Sequence, residues 1–414
     1  MKVFKFGGAS VKNADAIKNV AKILSTHSQN QLIVVVSAMG KVTNLLEKLT
    51  QQYFNENSTV ELVDNFKSFH NQIIEELNIK NLTQINLVYQ QLAYKLSLPK
   101  SDNYNFEYDQ IVSFGELMST TIINEYLLQN NFNSVWFDVR KVIKTDTKWR
   151  EAKVDWNLTQ TKFTTELLPV LSSKDIVITQ GFIGSTLTNH TTTLGREGSD
   201  FTASVLAFIA NVKSVTIWKD VPGMLNADPK YFTGTVLLQQ ISFKEAIELA
   251  YYGASVIHPK TIQPLKNKEI PLYIKSFLNP NDKGTVIQSS MAYDANVASY
   301  IFKPNQVLLS VTPKDFSFII EDNLKQIFSI LADENVRVNL MQNSAVSFSF
   351  LIDDKYDLQH LVNHFKTDYK VKYNKNVELL TVRHYNDKII ERLTNGKQVL
   401  LEQKTRQTAR MVLE

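Results

Sequence analysis

The chain has 414 residues, 45 Lys+Arg against 41 Asp+Glu, and no cysteine. A hydrophobic share of 43% excludes a mostly disordered chain, and the length predicts more than one domain. The missing cysteines exclude a disulfide framework, a thiolate metal site and a cysteine nucleophile, while a net charge of +4 without blocks of like charge carries no nucleic-acid footprint. The opening MKVFKFGGAS lacks the apolar core of a signal peptide, and no run of about 18 apolar residues marks a membrane span. A cytoplasmic protein with no nucleic-acid or membrane partner is expected.

In chain order, Lys2 to Phe6 reads as a short apolar strand running into Gly7-Gly8, followed by Ile17, Val20, Ala21 and Leu24 at helical spacing. Leu32 to Val36 is a continuous apolar run, as in a buried central strand. It enters Ser37-Ala38-Met39-Gly40, and a helical face resumes at Val42, Leu45, Leu46 and Leu49. Residues 50–100 read as an all-helical insertion. Strand signals return at Ser134–Val139, Ile176–Ile178 and Val215–Trp218, with Ala203, Leu206, Ala207 and Ala210 marking a helix of small residues between the last two. Alternating strands and helices predict a three-layer αβα domain with a mostly parallel central sheet over residues 1–290.

A different rhythm begins near residue 305. Strands at Val307–Thr312, Val336–Met341, Val346–Ile352 and around Val371 alternate with helical stripes at Leu324–Leu331, capped by Asp322, and Leu358–Phe365. That order is βαββαβ, an α+β ferredoxin-like unit. Val377–Val382 and Gln398–Leu401 add strand signals around a short helix, and Lys404 to Gln407 reads as a solvated strand face. Residues 305–414 are thus expected to hold one complete unit and a truncated second.

Only 13 glycines are present, and Gly396 alone follows Gly284. Most of the others punctuate strand-to-helix loops, where a parallel sheet gathers its ligand crevice. Lys5-Phe6-Gly7-Gly8 lets backbone approach an anion at a helix start, with a lysine nearby; it is not a Walker A loop, which ends in Gly-Lys-Ser/Thr. Ser37 and Thr43 offer hydroxyls after the second strand. Ser113-Phe114-Gly115-Glu116 puts a carboxylate at a helix start. Gly195-Arg196-Glu197-Gly198-Ser199-Asp200 is the most specific motif: two glycines bracket an Arg suited to a carboxylate, with Ser199 and Asp200 at the expected cap.

Together with Phe137-Asp138-Val139-Arg140, Trp218-Lys219-Asp220-Val221-Pro222-Gly223, Asn226-Ala227-Asp228-Pro229 and Gly253 to Pro259, these motifs resemble the aspartate kinases of the amino acid kinase family. The residues after 305 resemble that family's ACT regulatory region. The resemblance implies transfer of the ATP γ-phosphoryl group to the side-chain carboxylate of L-aspartate, with Mg2+ held mainly by the nucleotide phosphates and no direct protein ligand assigned. It implies catalytic roles for Lys5 and Asp200, and aspartate binding by Ser37, Thr43, Glu116, Arg196 and Ser199. Gly7, Gly8, Lys219, Asp220, Leu225, Lys230 and Ser255 would line the nucleotide. A homodimer is implied, and lysine or threonine as effector stays open.

Several positions depart from the family pattern. Glu197 stands where a third Gly is usual, Lys219 where Thr stands, Leu225 and Lys230 replace a Tyr and an Arg, and Ser255 replaces a Lys. In the tail, Asn339 and Ala345 replace an acidic pair. The alternatives are a kinase of the same family acting on another carboxylate, such as glutamate, and a catalytically silent amino-acid-binding regulator.

Overall fold

The computed structural model describes residues 1–27, 31–254 and 256–414, so the role expected of Ser255 lies outside the described residues. The chain divides into two compact units. The first comprises Met1–Met224, Leu237–Ile247 and Val256–Met291; the second comprises Leu225–Val236, Glu248–Ser255 and Ala292–Glu414.

The first unit is built on an eight-stranded sheet of β1 (Lys2–Phe6), β2 (Leu32–Val36), β3 (Ser134–Phe137), β4 (Ile176–Gln180), β7 (Val215–Lys219), β8 (Gln240–Ser242), β9 (Leu272–Ser276) and β10 (Thr285–Gln288). Between β4 and β7 the short strands β5 (Ile183–Ser185) and β6 (Thr191–Thr193) form a separate hairpin. The sheet order is β3-β4-β2-β1-β7-β9-β10-β8, and only the β9–β10 pair is antiparallel. All five residues of β2 are buried, which explains its unbroken apolar run. β1 pairs with β2 on one side and β7 on the other, with Phe6 opposite both Val36 and Trp218. The chain therefore reverses its direction of travel across the sheet at β1. The loops after β1, β2 and β7 open at the same sheet edge, the place where such sheets bind ligands.

The segment 50–100 holds the end of the helix Val42–Phe54 and the helices Val60–Glu76 and Thr83–Ser97. Within it His70 is fully buried beside Phe66 and Phe69; its Nδ1 lies 2.7 Å from the Phe66 carbonyl. Burial pushes its pKa down to about 4, against the pull of that carbonyl. The folded chain keeps the ring neutral while the unfolded chain takes up a proton near pH 6.5. This contribution to stability is complete above pH 6.5 and is lost between pH 6.5 and 4, by about 3 kcal/mol in all. Thermal unfolding of wild type should show that acid slope, and His70→Leu should flatten it.

The second unit carries a six-stranded antiparallel sheet in the order β12-β13-β11-β14-β16-β15. Its strands are β11 (Ser299–Pro313), β12 (Val338–Asn343), β13 (Phe348–Asp353), β14 (Tyr369–Arg383), β15 (Val399–Lys404) and β16 (Thr408–Leu413). The two strand signals at Val371 and Val377–Val382 are one continuous strand of 15 residues. It pairs along its length with β11, also 15 residues long. The pairing shifts register between Lys303 and Leu308, where Pro304 cannot donate to the ladder and Asn305 and Asn376 take φ of 54° and 57°. On one side of this irregularity the order β12-β13-β11-β14 is ferredoxin-like. On the other, β11-β14-β16-β15 repeats the pattern with the same two long strands. The solvated stretch at Lys404–Gln407 spans the end of β15 and the turn into β16.

The helix expected to be capped by Asp322 runs Glu321–Asp333, so Asp322 lies inside its first turn; instead Asn323 Oδ1 accepts the Ile320 N–H at 3.2 Å. Its Ile327 and Leu331 share one core with Leu361, Val362 and Phe365 of the helix Leu358–Phe365. Among the described residues no helix is long and apolar enough to cross a membrane.

Candidate active site

At the carboxyl edge of the first unit's sheet lies a cavity of about 810 Å³. Lys5 reaches it from β1, where the strand's alternation sends Phe4 and Phe6 to the other face. The helix Gly198–Ala210 begins beside it and presents Asp200 in its first turn. Lys5 Nζ and Asp200 Oδ1 are 2.6 Å apart, with exposures of 7% and 2%, too low for water to screen the pair. From the end of β7, Lys219 Nζ comes within 3.3 Å of Asp200 Oδ2 and donates to the Val256 carbonyl. Burial drives the Asp200 carboxyl upward, yet the two lysines outweigh it and hold the group below the usual carboxylate range. One carboxylate thus holds two ammonium groups at the edge of an open cavity. Such an array suits a polyanion.

Two loops meet behind Lys5. The Gly40 N–H donates to the Gly8 carbonyl at 3.0 Å, and a Cβ on Gly8 would sit 2.8 Å from the Ala38 carbonyl oxygen. Only glycine permits that approach. The Ala38 N–H in turn donates to Glu116 Oε1 at 3.1 Å, while Glu116 Oε2 is buried without a hydrogen-bond partner among the described residues. Burial pushes the Glu116 pKa up to about 8, against the Ala38 N–H and the charge of Lys5. A buried, half-satisfied carboxyl in a cavity wall is set to receive a cation.

Arg196 lines the same cavity from the loop before the helix, with Ser199 in the helix's first turn. The helix cap is Glu197, so Ser199 and Asp200 lie two and three residues past it, inside the first turn and not at the cap expected of them. Glu197 has φ of 52°, in the left-handed region, and a buried Oε2 with no hydrogen-bond partner among the described residues. A side chain there costs about 1 kcal/mol, which explains why glycine is usual. Glu197→Gly is expected to stabilise the fold by up to about 1 kcal/mol, and Glu197→Ala to give no such gain, as read from urea midpoints.

Of the residues singled out from the sequence, Lys5, Ser37, Thr43, Glu116, Arg196, Ser199, Asp200 and Lys219 share this cavity. Gly7 and Gly8 form the turn after β1 without lining it, and Asp220 is exposed just past β7. Leu225 and Lys230 belong to the second compact unit. Ser255 is outside the described residues.

The sequence reading missed Arg150. It lines the cavity from an irregular loop, stacks its guanidinium 4.1 Å from the Tyr108 ring centre, and pairs with Glu47 at 3.2 Å. Buried Asp109 holds that loop, accepting the Arg150 N–H at 3.0 Å, the Thr193 N–H at 3.0 Å and the Thr193 hydroxyl at 2.7 Å. Burial pushes Asp109 up to about 6 despite these donors. The available signal was the Lys148-Trp149-Arg150-Glu151 run, a charged and aromatic cluster with no helical or strand period.

Residues 1–276 match the amino acid kinase family. The lysine-sensitive aspartokinase 3 of Escherichia coli is 35% identical over 356 residues, 85% of this chain and 78% of that protein. The chloroplastic aspartokinase 1 of Arabidopsis thaliana is 30% identical over 372 residues, 85% of this chain but only 63% of that longer protein. Among solved structures, E. coli aspartokinase III in complex with aspartate and ADP aligns with a TM-score of 0.80 at 27% identity, covering 100% of this chain and 96% of that one.

Proposed function

Since the chain belongs to the amino acid kinase family, we propose that it is an aspartate kinase, transferring the γ-phosphoryl group of ATP to the side-chain carboxylate of L-aspartate. The product is 4-phospho-L-aspartate, the first intermediate toward lysine, threonine and methionine. The observation that carries the reading is the Lys5–Asp200–Lys219 array in one cavity with the half-satisfied Glu116 and with Arg196. That cavity offers cations for phosphates, a carboxyl for an ammonium group and a guanidinium for a carboxylate.

The acceptor carboxylate is already ionised at neutral pH, so no general base is needed. One of its oxygens forms the new bond to the γ-phosphorus as the bond to the bridging oxygen breaks, and ADP carries away the electron pair. Catalysis then rests on positioning and charge stabilisation. Lys5 is the group to neutralise the phosphoryl oxygens in flight. Asp200, occupied by two lysines, is a poor base and a good anchor: it fixes both ammonium groups before substrate arrives. Lys219 brings a second cation where the family pattern has a neutral Thr. Arg196 suits the α-carboxylate of aspartate and Glu116 its ammonium group, with Ser37, Thr43 and Ser199 completing the pocket.

Asp200 has a lysine ammonium group against each of its oxygens. This donor set fits a Mg2+ ion carried on the nucleotide phosphates, where it supplies further charge neutralisation. Nucleotide contacts by Gly7, Gly8, Asp220, Leu225, Lys230 and Ser255, a homodimer, a cytoplasmic setting and lysine or threonine as effector belong to the same reading.

Trapping the acyl phosphate with hydroxylamine tests it. Aspartyl hydroxamate should form with MgATP and aspartate, and far less product with glutamate. Hydroxamate from glutamate alone would move the enzyme to another substrate, and none from either would overturn the kinase assignment.

A further inference from the structure

We propose that Glu334, His360 and His364 form a binding site for one divalent transition-metal ion of the zinc class in the second unit, separate from the phosphoryl-transfer chemistry. The three side chains come from two helices and converge on one point. Glu334 Oε1 lies 3.1 Å from His360 Nε2 and 3.0 Å from His364 Nδ1, and the three ligand atoms all fall within 4.8 Å of one another.

The sequence places the histidines for this. They stand four apart on Leu358–Phe365, so they share one helical face. The opposite face, with Leu361, Val362 and Phe365, is locked in the core. Asp357 caps that helix by accepting the His360 N–H at 3.0 Å. Glu334 is the C-cap of Glu321–Asp333, whose Ile327 and Leu331 enter the same core. Asn335, at φ of 53°, turns the chain away immediately afterwards. The ligands thus hang from two helices that one core already holds together, so little ordering remains for a metal to impose.

The chemistry and spacing select the ion. Two imidazole nitrogens and one carboxylate oxygen suit zinc, cobalt or nickel, whereas calcium and magnesium ask for more oxygens. Zinc bonded at 2.0–2.1 Å to nitrogen and oxygen in a tetrahedron sets its ligands about 3.3 Å apart. The distances to Glu334 are already within a few tenths of an ångström of that, and a fourth position is left for water. The histidines are half exposed, with side chains 55% and 50% accessible, so an ion has a path in.

The test uses the full chain, stripped of metal and free of nucleotide, titrated with Co2+ and then Zn2+. One Co2+ should bind per chain with the intense visible bands of a tetrahedral site, and Zn2+ should displace it and raise the melting temperature. His360→Ala and His364→Ala should each weaken binding at least about tenfold and abolish the Zn2+-induced rise. Without metal, both variants should melt as wild type does, which separates lost binding from lost folding. Octahedral, weakly absorbing Co2+, or an affinity unchanged in both variants, would overturn the site.

Discussion

Lys5→Met is expected to lower kcat by about three orders of magnitude while leaving the fold intact. The substitution keeps an alkyl chain of similar length in the β1 position and removes only the ammonium group. In a buried site, one donor aimed at developing charge is worth about 10²–10³ in rate, and a cation on a transferring phosphoryl group about 10³–10⁵. Stability should survive because Asp200 is not orphaned: Lys219 still lies 3.3 Å from its second oxygen. Removing a sole partner from a buried pair would instead cost about 3–5 kcal/mol. Steady-state kinetics with saturating aspartate, alongside a melting curve, checks both halves. A variant with near-normal turnover would remove Lys5 from the chemistry.

The second large effect lies in the pH dependence of aspartate binding. With Glu116 titrating at about 8 in the empty cavity, a carboxylate able to hold the substrate ammonium group is scarce at pH 6 and half formed at pH 8. If only the ionised form binds, KM for aspartate should fall about fiftyfold between those two values. The same shift acts on the empty fold in the opposite sense to a salt bridge. Its pKa is raised from 4.5, so the folded state holds the proton more tightly, and stability declines as pH climbs from about 4.5 toward 8. Aspartate should restore that loss. Glu116→Gln cannot titrate, so its KM should be high and flat over this range. A wild-type KM that does not change from pH 6 to 8 would sink the pairing of Glu116 with the substrate.

These expectations draw unequally on sequence and structure. The four segments that line the crevice were legible because each sets glycine beside polar or charged residues within a few positions, two of them directly after a strand signal, although Ser113–Glu116 joins two helices. Such signals are local, and backbone preferences report them directly. The helical insertion and the βαββαβ order were legible for the same reason. Glu197 was visible as a departure from a glycine pattern, but its φ of 52° gave the departure its energetic meaning.

Boundaries were less legible. Val371 and Val377–Val382 looked like two strands because the exposed stretch between them carries no apolar alternation. Pairing with β11 supplies the continuity that this stretch does not encode by itself.

By its order of residues alone, this chain determined an alternating α/β first domain, a ferredoxin-like tail, and the identity of the lysine, arginine and carboxylates in its glycine-bearing segments. Only the tertiary structure decided that Lys219 turns onto Asp200 beside Lys5, that Arg150 joins the cavity from a loop without periodicity, and that Glu116 is buried deeply enough to hold its proton near neutrality. It also decided that Glu334 meets two histidines of another helix. The reason is physical. Propensity and spacing act over a few residues, whereas the distance between side chains on different segments and the loss of water around them follow from sheet order and packing.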